Sequence, residues 1–498
     1  MELNMEQKTI SCLDPVLQEV RSTELTQQIK LPDTMPDMGR ILASWGQVIL
    51  RSKQWNDEEV SATGGVMVWV LYAPEDGSRA CCLESWIPFQ MKWEIPEDLP
   101  DGVLRIRCRT RFVDGRSVSP RKIMVRCGVS ALAEGFVPTQ REVTVSQSQP
   151  REVQLLQNAY PLRLSMEAGE KEISLEEDLT LPDSVPQPEA LIYSRMEPRT
   201  GECRVLGDKL AFRGNGNLHI LYRSEEGRLH SWDVPLGFSQ IAQLDREYGV
   251  DAQADLAVSV TNLEGELDEE GHLRLKCSLA AQYRITDRQM ITVVEDAYAP
   301  DREVALHREM LELPVVLETR RENLIAEQSL PLEGDGAVDV SFLPDLPRQR
   351  SGEQGVELEY PGQFQVLAYG PDGRLQSANA RWEGRQRIRA HEDSHIQAVP
   401  FAGEVQVLPG SGRMQVKADV PVDMTTTVRQ QIPMVTGVEL GGKKSPDPNR
   451  PGLILRRAGD NRLWDLAKAS GSTVEAIRRA NGLQGEPEPN RMLLIPVL

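Results

Sequence analysis

Over most of its length the chain alternates apolar and polar residues in short runs broken by Gly, Pro and Asp, the pattern of antiparallel strands with one buried face. VMVWVLY (Val66 to Tyr72), LHILY (Leu218 to Tyr222) and FQVLAY (Phe364 to Tyr369) each predict a strand ending in Tyr. Each precedes a turn-forming string, Pro74 to Gly77, Ser224 to Gly227 and Gly370 to Gly373. Asn215-Gly216 predicts a further turn. Ile41 to Leu50 also predicts a strand, because its counterpart around Ile192 carries Pro198, which a helix interior excludes.

The period changes only after residue 452. Leu453 to Leu455 and Met492 to Ile495 are apolar runs of strand length. Between them, Leu463, Leu466 and Ala467 share one helical face, with Asp460 placed to cap the helix and Gly471 to end it. Ser472 and Glu475 have capping-box spacing for a second helix with Val474, Ile477 and Ala480 on one face, stopped at Asn481-Gly482. The expected order is strand, helix, helix, strand. Trp464 is expected in the core, since so small a module needs its few large apolar groups for burial.

The preceding residues repeat. Leu31-Pro32-Asp33 recurs as Leu181-Pro182-Asp183, and Leu330-Pro331 follows at similar spacing; the three Tyr residues ending the strands above correspond in the same way. VLRIRC (to Cys108), HLRLKC (to Cys277) and RMQVKA (to Ala418) are matched, with Cys108 and Cys277 read as packing residues. Strings beginning at Phe136 and Tyr298 mark the ends of the first two copies. The fold class expected is mainly β: three tandem related β-rich units (1–145, 146–306, 307–440), a Pro/Gly-rich linker (441–451) that holds the last part apart, and a small β-α-α-β module (452–498). Units of about 130 to 160 residues can each build a core.

Residues 453–496 resemble a LysM module, on Gly459-Asp460, Leu463-Trp464, Ala467, Val474, Ile477 and Ala480-Asn481. The resemblance implies binding of N-acetylglucosamine-containing glycans such as peptidoglycan, in a groove between the turn Gly459, Asp460, Asn461, Arg462 and the loop containing Leu483, Gln484, Glu488 and Asn490. The turn departs from the LysM pattern: Asn461 replaces the usual Thr and Arg462 is an extra residue. Taken whole, tandem β-rich units with L-P-D near their starts followed by one LysM module resemble the SPOCS-domain spore-coat morphogenetic proteins of endospore-forming bacteria. That resemblance implies a non-enzymatic coat-assembly scaffold in the mother-cell cytoplasm at the forespore surface. Its LysM module would bind a protein partner, a coat morphogenetic ATPase, alongside other coat proteins. The alternative is a peptidoglycan-binding protein of the cortex or cell wall.

Composition narrows the partners. A net charge of −19 argues against nucleic acid or anionic membrane as the main partner, although six arginines make the C-terminal module locally basic. The N-terminal residues do not read as a signal peptide, and no run of some 18 apolar residues predicts a transmembrane segment. Seven cysteines with no C-x-x-C spacing are expected to be reduced. His391 to His395 (HEDSH) satisfies H-E-x-x-H, but Asp393 and Ser394 suit a helix interior poorly and no His follows, so a polar loop is expected. Gly437 to Lys443 is near-Walker, yet Lys444 stands where Ser or Thr should hold magnesium. No cofactor is expected.

Overall fold

The computed structural model describes residues 3–56, 58–147, 153–182, 184–268, 271–334, 336–352, 355–389, 393–410, 412–444, 451–459 and 462–498. The chain is mainly β, with two short helices near its C-terminus among the described residues. In the first stretch β1 (Met5–Lys30) pairs along its length with β6 (Lys122–Gln147), which also holds β5 (Val103–Ser119). β2 (Met38–Trp55), β3 (Glu59–Pro74) and β4 (Cys81–Glu94) form a second antiparallel sheet. In the second stretch β7 (Gln154–Leu179) pairs with β11 (Leu273–Tyr298), which holds β10 (Gln253–Leu267), while β8 (Pro188–Ser224) pairs with β9 (Leu229–Tyr248).

The third stretch repeats the pairing with broken strands. β12 (Arg302–Leu330) pairs with β19 (Arg413–Lys443), and β17 (Ser394–Pro400) and β18 (Val405–Gly410) lie along β19. β13 (Ala337–Pro344) and β14 (Arg348–Gly352) share one side of β15 (Gly355–Tyr369), and β16 (Leu375–Ile388) takes the other. The long strands of the second and third stretches join at Leu164–Val315 to make one seven-stranded sheet. The chain closes with β20 (Leu453–Arg457), α1 (Leu463–Ser470), α2 (Val474–Asn481) and β21 (Met492–Pro496).

The near-continuous apolar runs have two burials to satisfy. On β3, β8 and β15, Tyr72, Tyr222 and Ala368 enter the core of their own stretch. The preceding residues, Leu71, Leu221 and Leu367, point the other way and meet Trp45, Trp69 and Tyr193 in a cluster shared by all three. A strand buried on both faces loses the polar half of its alternation, which explains why these runs read as unbroken. It also corrects a correspondence: Ala368, not Tyr369, is the counterpart of Tyr72 and Tyr222. Tyr369 instead reaches the second stretch, where its hydroxyl accepts the Leu229 N–H (2.9 Å) under the Arg228 guanidinium.

Three further expectations change. Cys108 lies on β5, whereas Cys277 and Ala418 lie on the long return strands β11 and β19; their counterpart is Cys127 on β6, which faces Leu25 as Cys277 faces Leu175. Both strands of that hairpin carry the same alternation, so pattern alone slipped by one strand. Asn215-Gly216 is not a turn but lies within β8, opposite Gly237 and Leu236, and a side chain at Gly216 would collide with the Met196 sulfur (2.3 Å). Third, the strand ends shift the boundaries: β11 ends at Tyr298, β12 begins at Arg302, and Gly441 to Lys443 belong to β19. Linker residues 445–450 and Asp183 lie outside the described residues. The three Gly-ended turns do form, with Gly77, Gly227 and Gly373 at φ +73, +82 and +75°, a region a Cβ disfavours.

One buried carboxylate ties the three stretches. Asp339 of β13 accepts from Trp45 Nε1 of β2 (2.7 Å), the Tyr193 hydroxyl (3.0 Å) and His219 Nε2 (2.6 Å), both of β8. His219 Nδ1 contacts Asp233 (2.9 Å). Ionised carboxylates only accept, so an imidazole held between two of them must donate from both nitrogens and is a cation. Burial opposes that charge, but the two carboxylates outweigh it and raise the His219 pKa to about 9.

Candidate functional site

The C-terminal module is built by local capping. No side chain caps α1 at Arg462; instead the Leu463 N–H donates to Glu486 Oε2 (2.8 Å), tying the turn before α1 to the loop before β21. Gly471 and Gly482 end the two helices in the left-handed conformation, as expected. The capping box does not form as expected. Thr473, not Ser472, caps α2, its hydroxyl accepting the Ala476 N–H (3.0 Å), because Ser472 is drawn wholly into the interior. Glu475 then pairs with Arg479 (2.8 Å). Leu463, Leu466, Ala467, Ile477, Leu493 and Ile495 form the core.

The module does not stand apart from the β body. Its core includes Tyr298, the last residue of β11, with Leu156 of β7 packed alongside. Trp464 meets Tyr298 edge-on at 4.8 Å between centroids, and the Tyr298 hydroxyl donates to the Ser472 carbonyl (3.0 Å). Asp296 accepts from Trp464 Nε1 (2.9 Å) and Lys468 Nζ (2.6 Å), and Arg308 approaches from the other side (2.6 Å). Burial would raise the Asp296 pKa, but the Lys468 ammonium and the Trp464 N–H hold it below the usual carboxylate range. The expectation of a detached module is thereby corrected: the apolar face of α1 is wider than its own small core can cover, and Tyr298 completes it.

The expected groove residues divide. Gly459 follows β20 with φ +57° and is half-buried; Arg462 is exposed; Asp460 and Asn461 lie outside the described residues. Leu483 packs on the module core, while Gln484, Glu488 and Asn490 are exposed, Asn490 with φ +67°. Turn and loop thus adjoin through the Leu463–Glu486 bond, offering polar groups to a ligand. Trp464, turned into the seam with Tyr298, is no stacking platform for a sugar ring.

Among the described residues, nothing covers the opposite side of the module. Across the β20–β21 pair, Leu455 faces Leu494, Leu453 faces Pro496 and Arg457 faces Met492, while Ile454, Leu493 and Ile495 turn inward. Leu453, Leu455, Met492, Leu494 and Leu498 are exposed by 40% or more. Exposed Arg457, opposite Met492, shares this face, whereas Arg456 sits opposite inward-turned Leu493 and Arg491 donates to the Asn481 carbonyl of α2. The available signal was an unbroken apolar run of strand length, because side chains alternate along a strand and only every second residue could meet the module core.

Other candidate chemistry falls on strands. His391 and Glu392 lie outside the described residues, but Ser394 and His395 begin β17, with His395 opposite Thr427, so they are not on a helix. Gly437 to Lys443 is part of β19, paired with β12, and not a phosphate loop. All seven cysteines are free thiols, and burial pushes those of Cys108 and Cys277 up to about 12. Comparison of the chain with protein-family models, curated proteins and solved structures returned no match.

Proposed function

We propose that this chain is a non-enzymatic scaffold of spore-coat assembly: its three β stretches act as tandem SPOCS-like units, and its C-terminal module is a LysM-type element that docks a protein partner, a coat morphogenetic ATPase, at the forespore surface in the mother cell. The sequence resemblance supplies the identities. The observation that supports protein docking is the exposed apolar face of β20 and β21, with Arg457 at its end, displayed while the α1 side is fixed to the body. An exposed row of large aliphatic side chains marks an interaction surface more often than a solvated one. Leu455 and Leu494 are 62% and 40% exposed, so covering the remainder of each against a partner contributes about 1–2 kcal/mol. The arginines of the module suit an acidic partner surface, and the overall charge of −19 argues against nucleic acid or anionic membrane as the main partner.

The test is affinity purification of the tagged protein from sporulating cells, comparing the intact chain, a chain lacking residues 452–498, and Leu455→Asp/Leu494→Asp. The ATPase should co-purify with the intact chain and be lost from both variants. Undiminished recovery with the double variant would exclude this face. The glycan alternative draws on the exposed turn and loop at Arg462, Gln484, Glu488 and Asn490, and retention of the module on insoluble peptidoglycan at physiological salt would favour it.

A further inference from the structure

Sheet edges that turn toward the junctions between stretches are mostly closed by side chains. Along β2, the Val48 N–H donates to Thr110 Oγ1 (2.9 Å), the Ser44 carbonyl accepts from Gln365 Nε2 (3.2 Å), and the Leu42 carbonyl accepts from the Ser377 hydroxyl. On the first half of β8, Gln47 folds its amide over Met196, donating to the carbonyl (2.7 Å) and accepting the N–H (3.1 Å). Gln282 closes Ile106 of β5 in the same two-bonded way, both at 2.8 Å. Such caps remove the template that an open edge presents to another chain.

β13 is the exception. It pairs with β15 alone, and along Ala337 to Phe342 its main chain forms one wall of a cleft of about 980 Å³. Among the described residues, neither a strand nor a side chain caps that edge. The facing wall is the outer side of β8 and β9, where Asn215, Asn217 and Ser231 present polar groups. At its depth lies Arg195, 8% exposed, its Nε without a hydrogen bond and Glu197 Oε1 3.8 Å away. With His219 counted as a cation, the lining holds four cationic and four anionic side chains, so the cleft favours a polar ligand of little net charge. Phe238 and Phe342 line it but are buried, 5% and 1% exposed, and give a sugar ring no platform.

We infer that the open edge of β13 is a docking site for an extended polar peptide segment of a partner protein, which enters the cleft as an added strand and places one amide or carboxylate side chain over Arg195. With the irregularity between Ala337 and Asp339, the regular edge of β13 runs from Asp339 to Phe342 and spans about 14 Å, and the cleft accommodates an extended segment of at least that length. Main-chain hydrogen bonds supply affinity in this mode, and alternate side chains supply specificity. The inference is independent of the C-terminal module.

Phage-displayed random octapeptides selected on the intact protein provide the probe. Selected peptides should slow amide hydrogen exchange in residues 337–342. Replacing exposed Asn215 or Ser231 by Trp should weaken them at least tenfold by filling the cleft from the facing wall, with the circular dichroism of the variants unchanged. Methylating peptide amides at alternate positions should abolish binding in one phase and spare it in the other, which a side-chain-only contact would not do. Failure to select any peptide, equal tolerance of both methylation phases, or protection of 337–342 by N-acetylglucosamine oligomers instead would each overturn the proposal.

Discussion

The same device holds two seams of this molecule at different depths. Where the three β stretches meet, Asp339 accepts a Trp45 indole N–H, with Tyr193 stacked beside it at 4.8 Å. Where the C-terminal module meets the body, Asp296 accepts a Trp464 indole N–H, with Tyr298 set against it at 4.8 Å. The Asp339 side chain is 1% exposed and its charge partner is a buried imidazolium; Asp296 is 15% exposed and its partner Lys468 is 40% exposed. Depth therefore separates a lock on which the whole β body depends from a latch that can open by itself.

Asp339→Ala should have the largest effect. It leaves three buried donors facing a cavity, an imidazolium among them, and should cost about 3–5 kcal/mol in denaturant unfolding of the β body. A loss below 1 kcal/mol would show that the lock is not one. Trp464→Ala should cost about 3 kcal/mol, confined to the module. Calorimetry should then show the module transition lost and the β transition unchanged, and a common shift of both would erase the distinction between lock and latch.

Base should sharpen the comparison. The His219 pKa is about 9 folded against 6.5 as the reference, so its stabilisation is fully present below pH 6.5 and is lost as pH rises through 9. The difference in stability between the protein and His219→Gln should fall by on the order of 3 kcal/mol across that window. A pH-independent difference would mean that the imidazole is neutral. Acid acts on both seams, because the Asp339 and Asp296 pKa values are lowered, so each carboxylate stabilises above its unfolded value near 3.8 and stops as pH falls through the folded one. Smaller still, Asp296→Ala should cost the module about 1–2 kcal/mol and speed amide hydrogen exchange in α1 while leaving β11 protected. Lys468→Ala should cost the seam under about 1 kcal/mol, the usual worth of an exposed ion pair.

Much of the secondary structure was legible because it is local. The Gly-ended turns, the strand through Ile41 to Leu50 and the strand–helix–helix–strand order after residue 452 follow from periodicity and capping residues within a few positions. Matching of residues between copies was less secure. Cys108 stood in for Cys127 because neighbouring strands share one alternation, and Tyr369 for Ala368 because a run buried on both faces carries no alternation to fix its register. Thr473 replaced Ser472 as a cap for a related reason: which of two adjacent hydroxyl residues caps a helix depends on which one the interior takes.

What the chain determined by itself is the order and polarity of its elements: which runs are strands, where glycine turns them, and that Trp464 must be buried. Tertiary structure alone decided against what each is buried. Nothing near Trp464 in sequence announces Asp296 and Tyr298, and Asp339 does not announce Trp45 or His219, because each seam joins residues more than a hundred positions apart. The same reason left the β13 edge unread. Its openness consists in the absence of a Gln47-like or Gln282-like cap, and such caps come from distant strands that sequence periodicity cannot bring together.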